Sequence, residues 1–72
     1  MQGTIKIVQY PKQIKIYFSY NSELVEIMQE HNGWWLTKEN CWSFPLYKLQ
    51  EIRDELTQKM YQTSVTKVDW QS

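Results

Sequence analysis

Residues 33–45, GWWLTKENCWSFP, contain three of the chain's four tryptophans and form two apolar segments around a polar loop. The loop KEN at 38–40 separates WWLT from CWSF, a spacing typical of a β-hairpin. Trp34 and Trp35 are adjacent, and successive side chains of a strand point to opposite faces of a sheet. The hairpin therefore predicts a sheet with one indole of the pair in the core and the other on the opposite face.

Three other segments have the patterning of strands. Residues 4–9 (TIKIVQ) and 14–20 (IKIYFSY) alternate polar and apolar side chains, as half-buried strands do. The YPKQ between them contains a proline and is typical of a turn. Near the end of the chain, TSVTKVDW is rich in β-branched residues and predicts a final edge strand.

A first helix is predicted over residues 22–31, where apolar residues recur at the i, i+3 and i+4 spacing. Asn21 or Ser22 is the expected N-cap, because a short polar side chain there accepts from free backbone N–H groups. Gly33 is expected to end this helix in the left-handed conformation.

A second helix is predicted over residues 46–61, with Pro45 pre-setting its first turn and an apolar stripe that reaches Met60. The element order is then β-β-α-β-β-α, with the final edge strand added. Seventy-two residues allow one core. The prediction is a single α+β domain over 1–72, built as a two-layer fold with an antiparallel sheet and both helices on one face.

Strand alternation divides the side chains of this sheet into two sets. The predicted core set is Ile14, Ile16, Phe18, Trp35, Trp42 and Phe44, and the predicted outer set is Lys6, Val8, Lys15, Tyr17, Trp34, Leu36 and Cys41. Trp34 is therefore expected on the face away from the helices. The alternative is that the C-terminal segment covers it, with Val68 or Trp70 packed over the ring.

The chain has eight basic and eight acidic residues and no net charge, which argues against strong non-specific nucleic-acid binding. Most carboxylates fall on the predicted helices, however, whereas the outer set mixes lysines with aromatic rings. Such a sheet face is typical of modules that stack bases and contact phosphates. Exposed aromatic residues are also typical anchors for protein partners.

Several other classes of function are disfavoured by the sequence. Cys41 is the single cysteine, so no internal disulfide forms, and the N-terminus has no apolar signal-peptide core. No apolar run is long enough to span a membrane. One His31 and one Cys41 do not make a metal site or a nucleophilic pair. We expect a non-enzymatic protein without cofactor or metal that is cytoplasmic, or nuclear in a eukaryotic host, and not secreted.

The segment IKIYFSYNSELVEIMQEHNGWWLTKENCWSFP resembles the HARP-like domain, which precedes the motor of annealing helicases and the catalytic domain of some recombinases. The resemblance covers about residues 14–58. It rests on Phe18, Tyr20, Leu24, Val25, Ile27, Gly33, Trp35, Trp42, Phe44 and Pro45. It implies binding to branched or single/double-strand junction DNA. The chain departs from the pattern at Trp34, which stands where the family usually has a basic residue, so a stacking group replaces a phosphate contact.

Two hypotheses follow for the function. The first is a DNA-binding accessory module for forked or single-stranded DNA, with Tyr17 and Trp34 stacking on bases and Lys6, Lys15 and Lys38 contacting phosphates. The second is a protein-interaction module, such as a viral or mobile-element factor that docks on a replication or repair protein. The resemblance favours the first hypothesis, and the balanced charge favours the second.

Overall fold

The computed structural model describes residues 4–70, which form one mixed sheet covered on one face by two α-helices. Residues 1–3 and 71–72 of the predicted domain lie outside the described residues. In chain order, the elements are β1 (Thr4–Gln9), β2 (Gln13–Tyr17), α1 (Ser22–Glu30), β3 (Trp34–Leu36), β4 (Cys41–Pro45), a 3-10 turn (Leu46–Lys48), α2 (Leu49–Gln58) and β5 (Gln62–Lys67). The predicted α+β class and the final edge strand are confirmed.

The strands lie side by side in the order β3-β4-β2-β1-β5. Three of the four neighbouring pairs are antiparallel, and β5 is parallel to β1. The sheet is therefore mixed, where the sequence predicted an antiparallel one. The reason is that β4 and β5 run in the same direction, so the chain must cross the sheet between them, and α2 makes that crossing.

The core lies between the sheet and the helices. Side chains from every strand except β3 meet side chains from both helices there, and most of them are completely buried. The buried cluster comprises Ile5, Ile7, Ile14, Ile16, Leu24, Ile27, Met28, Trp42, Phe44, Ile52, Leu56 and Tyr61. Burial of this apolar surface is the main stabilising contribution in so short a chain.

Of the two predicted N-cap residues of α1, Asn21 and Ser22, the structure shows that Asn21 is the cap. Its Oδ1 atom accepts hydrogen bonds from the backbone N–H groups of Glu23 (2.9 Å) and Leu24 (3.3 Å). Its Nδ2 atom donates to the Tyr61 hydroxyl at 3.3 Å, and that hydroxyl donates to Glu23 at 2.6 Å. The cap therefore also joins the start of α1 to the segment between α2 and β5.

The end of α1 differs from the prediction. The left-handed residue is Asn32 (φ 62°), and Gly33 has no positive φ. The backbone N–H of Gly33 donates to the Met28 carbonyl at 2.9 Å, as in a Schellman motif. Glycine is required for a different reason: a Cβ atom there would lie 2.6 Å from the Phe44 ring and 2.9 Å from the Trp42 ring.

The second helix is shorter than predicted. Residues 46–48 form a 3-10 turn, and α2 ends at Gln58. Met60 is left-handed (φ 69°) and exposed, so it does not continue the apolar stripe. The next residue, Tyr61, is buried, and its N–H donates to the Leu56 carbonyl at 2.9 Å. This turn ends the helix and starts the approach to β5.

His31 joins the two helices at the C-terminus of α1. Its Nε2 atom lies 2.6 Å from Glu55, and its Nδ1 atom lies 3.6 Å from Glu51. Lys48 contacts Glu51 at 2.9 Å and holds the pKa of that carboxyl below its ordinary value. None of the helices in the described part of the chain is long and apolar enough to cross a membrane.

Candidate nucleic-acid interface

The sheet face that points away from the helices is called the outer face. The pairing register places its side chains in two rows that run across the strands. The first row is Trp34, Ser43, Lys15, Val8 and Thr66, and the second is Leu36, Cys41, Tyr17, Lys6 and Ser64. Every residue of the predicted outer set is on this face, so the assignment of the outer set from strand alternation is confirmed.

Trp34 is exposed on the outer face, with 73% of its surface accessible. The C-terminal strand does not cover it, because β3 and β5 are the opposite edges of the sheet. Trp70 is itself 64% exposed. The alternative in which the tail packs over Trp34 is therefore wrong.

An open groove of about 430 Å³ runs beside Trp34. Lys12, from the turn between β1 and β2, is exposed and lines this groove together with Gln13, Asn32, Trp34, Ser43, Phe44 and Pro45. Lys12 was not among the predicted site residues, because sequence patterning places it in a turn and does not show what lies beside that turn. Its position follows from the register: Gln13 pairs with Pro45 while Trp34 pairs with Ser43. The turn and the first residue of β3 thus lie at the same end of the sheet.

Lys6 and Tyr17 form a second contact on the outer face. Lys6 is exposed, and its Nζ atom lies 5.8 Å from the centre of the Tyr17 ring, within cation–π range. Tyr17 is half-buried beside Cys41. Burial, followed by a hydrogen bond with the Cys41 thiol, raises the pKa of Tyr17 to about 12. The phenol is therefore neutral at physiological pH and presents a partly covered ring.

Lys15 lies on the outer face as predicted, but it is buried, with 4% of its surface accessible. Its Nζ atom lies 2.5 Å from the Glu39 carboxylate and 5.2 Å from the centre of the Tyr10 ring. A lysine is buried in this way only when it is paired. The expectation that Lys15 is open to solvent is therefore corrected, because its ammonium is paired with the Glu39 carboxylate. The predicted phosphate contact of Lys15 stays a prediction. Strand alternation locates Lys15 but cannot show which loop residue reaches it.

Glu39 comes from the hairpin loop formed by residues 37–40, which connects β3 to β4. All four residues of this loop are exposed, and Asn40 adopts the left-handed conformation (φ 54°). Lys38, the remaining predicted phosphate contact, lies in the same loop and is exposed. The loop therefore places the Glu39 carboxylate over the outer face and the exposed Lys38 at the edge of that face.

Charge is distributed unevenly between the two layers. Six of the eight carboxylates are on the helices: Glu23, Glu26, Glu30, Glu51, Asp54 and Glu55. Five of the eight cations are on the strands or the turns beside them: Lys6, Lys12, Lys15, Lys38 and Lys67. The neutral chain is therefore dipolar, and an anionic partner is attracted to the sheet side and repelled from the helix side.

An aromatic cleft of about 390 Å³ opens on the helix side of β3. It is lined by Phe18, Tyr20, Val25, Trp35, Asn40 and Trp42. Trp35 was predicted to be in the core but is 44% exposed, with its ring centre 5.4 Å from that of Trp42. The reason is that β3 is a three-residue edge strand, so its inward ring has neighbours on one side only.

Cys41 is free and buried, and burial raises the pKa of its thiol, so it stays protonated and unreactive. Among residues 4–70, no group of three or more His, Cys, Asp or Glu side chains is placed to hold a metal ion.

No family profile, characterised protein or solved structure matches this chain. The resemblance of residues 14–58 to the HARP-like domain therefore stays a prediction.

Proposed function

We propose that this protein is a non-enzymatic accessory module that binds single-stranded or forked DNA on its outer face. The observation that carries the proposal is the exposed Trp34 ring beside Lys12, on the face opposite the carboxylate-bearing helices. The resemblance to HARP-like domains implies the same class of ligand.

In this proposal Trp34 stacks on an unpaired base, and the lysines around it contact the backbone. Stacking of one base on an aromatic side chain contributes roughly 1–3 kcal/mol and depends little on sequence. Lys12 is the nearest cation to Trp34 in the groove, and Lys6 and Lys38 stand further along the outer face and its margin. A ring that stacks in this way requires an accessible base face, which a continuous duplex does not offer. We therefore expect binding at single strands and at the open end of a fork.

The small number of lysines sets the affinity and its salt dependence. About two to four phosphate contacts on a single strand give a log–log salt slope of roughly −1.4 to −2.8. Binding should therefore be measurable at low salt and weak at physiological salt. A partner protein or a larger assembly would then supply the rest of the affinity, as expected for an accessory factor.

A heteronuclear NMR titration with forked, single-stranded and duplex DNA tests the proposal. We expect fork and single strand, but not duplex, to shift the Trp34 indole and the amides of Lys12 and Ser43. Trp34→Ala should abolish these shifts. Trp70→Ala is the matched control, because it removes another exposed indole, which lies beyond the end of β5 and outside the Trp34 groove. Absence of binding at low salt, or equal losses in both variants, would contradict the proposal.

A second candidate function is protein interaction through the aromatic cleft, which favours an apolar side chain of a replication or repair protein. The cleft adjoins the free edge of β3, where an extended peptide could add as a further strand. This candidate predicts that Trp35→Ala abolishes capture of the partner or self-association, while Trp34→Ala has no effect. The two tryptophan variants therefore separate the two candidates.

A further inference from the structure

We propose that Lys15 is a buried phosphate-binding site of the outer face and that Glu39 occupies it when no nucleic acid is bound. The inference rests on the proposed function, and it adds an exchange step: a backbone phosphate of the DNA replaces the Glu39 carboxylate on the Lys15 ammonium.

The first argument is the position of Lys15 in the sheet. It stands in the same row as Trp34, separated from it only by Ser43, so the two side chains are two strand spacings apart, roughly 10 Å. Lys6 stands on the neighbouring strand β1, in the next row. A nucleic-acid strand that stacks on Trp34 and crosses the sheet toward Lys6 therefore passes over Lys15.

The second argument is the unequal burial of the ion pair. The Lys15 side chain is 5% exposed, whereas the Glu39 side chain is 46% exposed and belongs to a loop that is exposed throughout. Lys15 is fixed in the central part of the sheet, and the one anion paired with it among residues 4–70 comes from a hairpin tip. The Tyr10 ring supplies a cation–π contact to the Lys15 ammonium but no charge. The carboxylate is thus the removable half of the pair.

The third argument is the chemistry of the exchange. A buried ammonium without a counter-charge is strongly disfavoured, so Glu39 leaves only when another anion takes its place. A phosphate group offers oxygen acceptors of the same kind as the carboxylate. Glu39 also places a negative charge over the outer face, which repels any polyanion that does not displace it. The loop therefore selects for ligands that deliver a phosphate at the position of Lys15.

The test compares two single variants of equal net charge with the wild type by fluorescence titration with a forked DNA over a range of salt concentrations. Glu39→Gln should bind roughly three- to tenfold more tightly than the wild type, because no carboxylate has to be displaced, and its salt slope should be unchanged, because Lys15 contacts one phosphate in both complexes. Glu26→Gln is the matched control, because it removes one exposed carboxylate from α1 on the helix side. We expect it to change affinity by less than about twofold. Lys15→Gln in the Glu39→Gln protein should remove the gain.

A measurement on the unmodified protein does not depend on how the variants fold. The side-chain carboxyl carbon of Glu39 should shift in the NMR spectrum when the forked DNA saturates the protein, while that of Glu26 stays unchanged. Equal affinities of the Glu39→Gln and Glu26→Gln proteins, or an unchanged Glu39 signal in the complex, would overturn the exchange and leave the proposed function intact. No binding by wild type or variants at low salt would overturn the proposed function and the exchange with it.

Discussion

Gly33 lies directly against Phe44: a Cβ atom at Gly33 would be 2.6 Å from Cζ of the Phe44 ring, far inside van der Waals contact. The same atom would lie 2.9 Å from the Trp42 ring and 3.0 Å from the Met28 carbonyl oxygen. Close approach of the backbone to these rings lets the chain pass from the end of α1 into β3 without opening the core.

We expect Gly33→Ala to destabilise the protein by about 2–3 kcal/mol, because overpacking of this kind forces buried rings and backbone apart. Urea denaturation followed by tryptophan fluorescence measures the change. Phe44→Leu in the Gly33→Ala protein removes the closest of these contacts and should be less destabilising there than in the wild type. Additive effects of the two substitutions would show that the clash is not with Phe44.

Substitution of Glu39 and substitution of Lys15 should lower the free energy of unfolding by unequal amounts. Glu39→Ala leaves the buried ammonium without a partner and should lower the free energy of unfolding by about 2–4 kcal/mol. Lys15→Met keeps most of the apolar stem and leaves Glu39 at a half-exposed position, so we expect a change below about 1 kcal/mol. Denaturant unfolding of the two variants and of the double variant measures the difference. Equal losses would mean that the pair is not buried in solution.

Tyr17 should make stability depend on pH in the alkaline range. Burial and the hydrogen bond with Cys41 raise its pKa from about 10 to about 12, so the folded protein holds the phenolic proton more tightly than the unfolded chain does. This contribution is fully present below pH 10 and is lost as the pH rises from 10 to 12. Urea midpoints for the wild type should therefore fall over that interval.

Tyr17→Phe removes the phenolic hydroxyl. The urea midpoint of this variant should therefore fall less between pH 10 and 12 than that of the wild type. The hydrogen bond to Glu23 also raises the pKa of Tyr61. Tyr61→Phe should therefore reduce the alkaline fall in the urea midpoint as well. Alkaline titration of phenolate absorbance provides an independent check. A Tyr17→Phe protein with the same alkaline decline as the wild type would contradict the assignment.

Asn21→Ala should destabilise the protein by about 1–2 kcal/mol, because it removes the side-chain oxygen that accepts from two backbone N–H groups and also the hydrogen bond to Tyr61. Ser22→Ala is the matched control: Ser22 is exposed in the first turn of α1 and makes none of the capping contacts. We expect it to be within about 0.5 kcal/mol of the wild type. Thermal unfolding of the two variants, recorded by circular dichroism, distinguishes them.

Patterning was sufficient to predict the parts of this fold that depend on neighbours along the chain. Alternation in TIKIVQ and IKIYFSY located two strands and assigned the outer face, and side-chain chemistry narrowed the N-cap of α1 to Asn21 or Ser22. The same local rules failed at the helix ends. Asn32 and Met60 take the left-handed turns there, because the residue that follows each of them is held by packing against the core.

The candidate site required information that alternation does not contain. Lys12 is near Trp34 only because of the order and register of three strands, and Lys15 is closed off only because a loop from another hairpin reaches it. Both facts depend on contacts between residues more than twenty positions apart. The parallel pairing of β5 with β1 also depends on distant residues, because α2 must first carry the chain across the sheet to the β1 edge.

The pairing of β1 with β5 joins the first described strand to the last along its whole length, from Thr4–Gln62 to Gln9–Lys67. This pairing has a consequence for the nascent chain during its synthesis on the ribosome. While the protein emerges from the ribosome, one edge of β1 has no neighbour until β5 has left the exit tunnel. An unpaired edge next to buried isoleucines is a template on which other nascent chains can aggregate. The edge of β1 that pairs with β5 is therefore open to such aggregation for as long as β5 is unpaired.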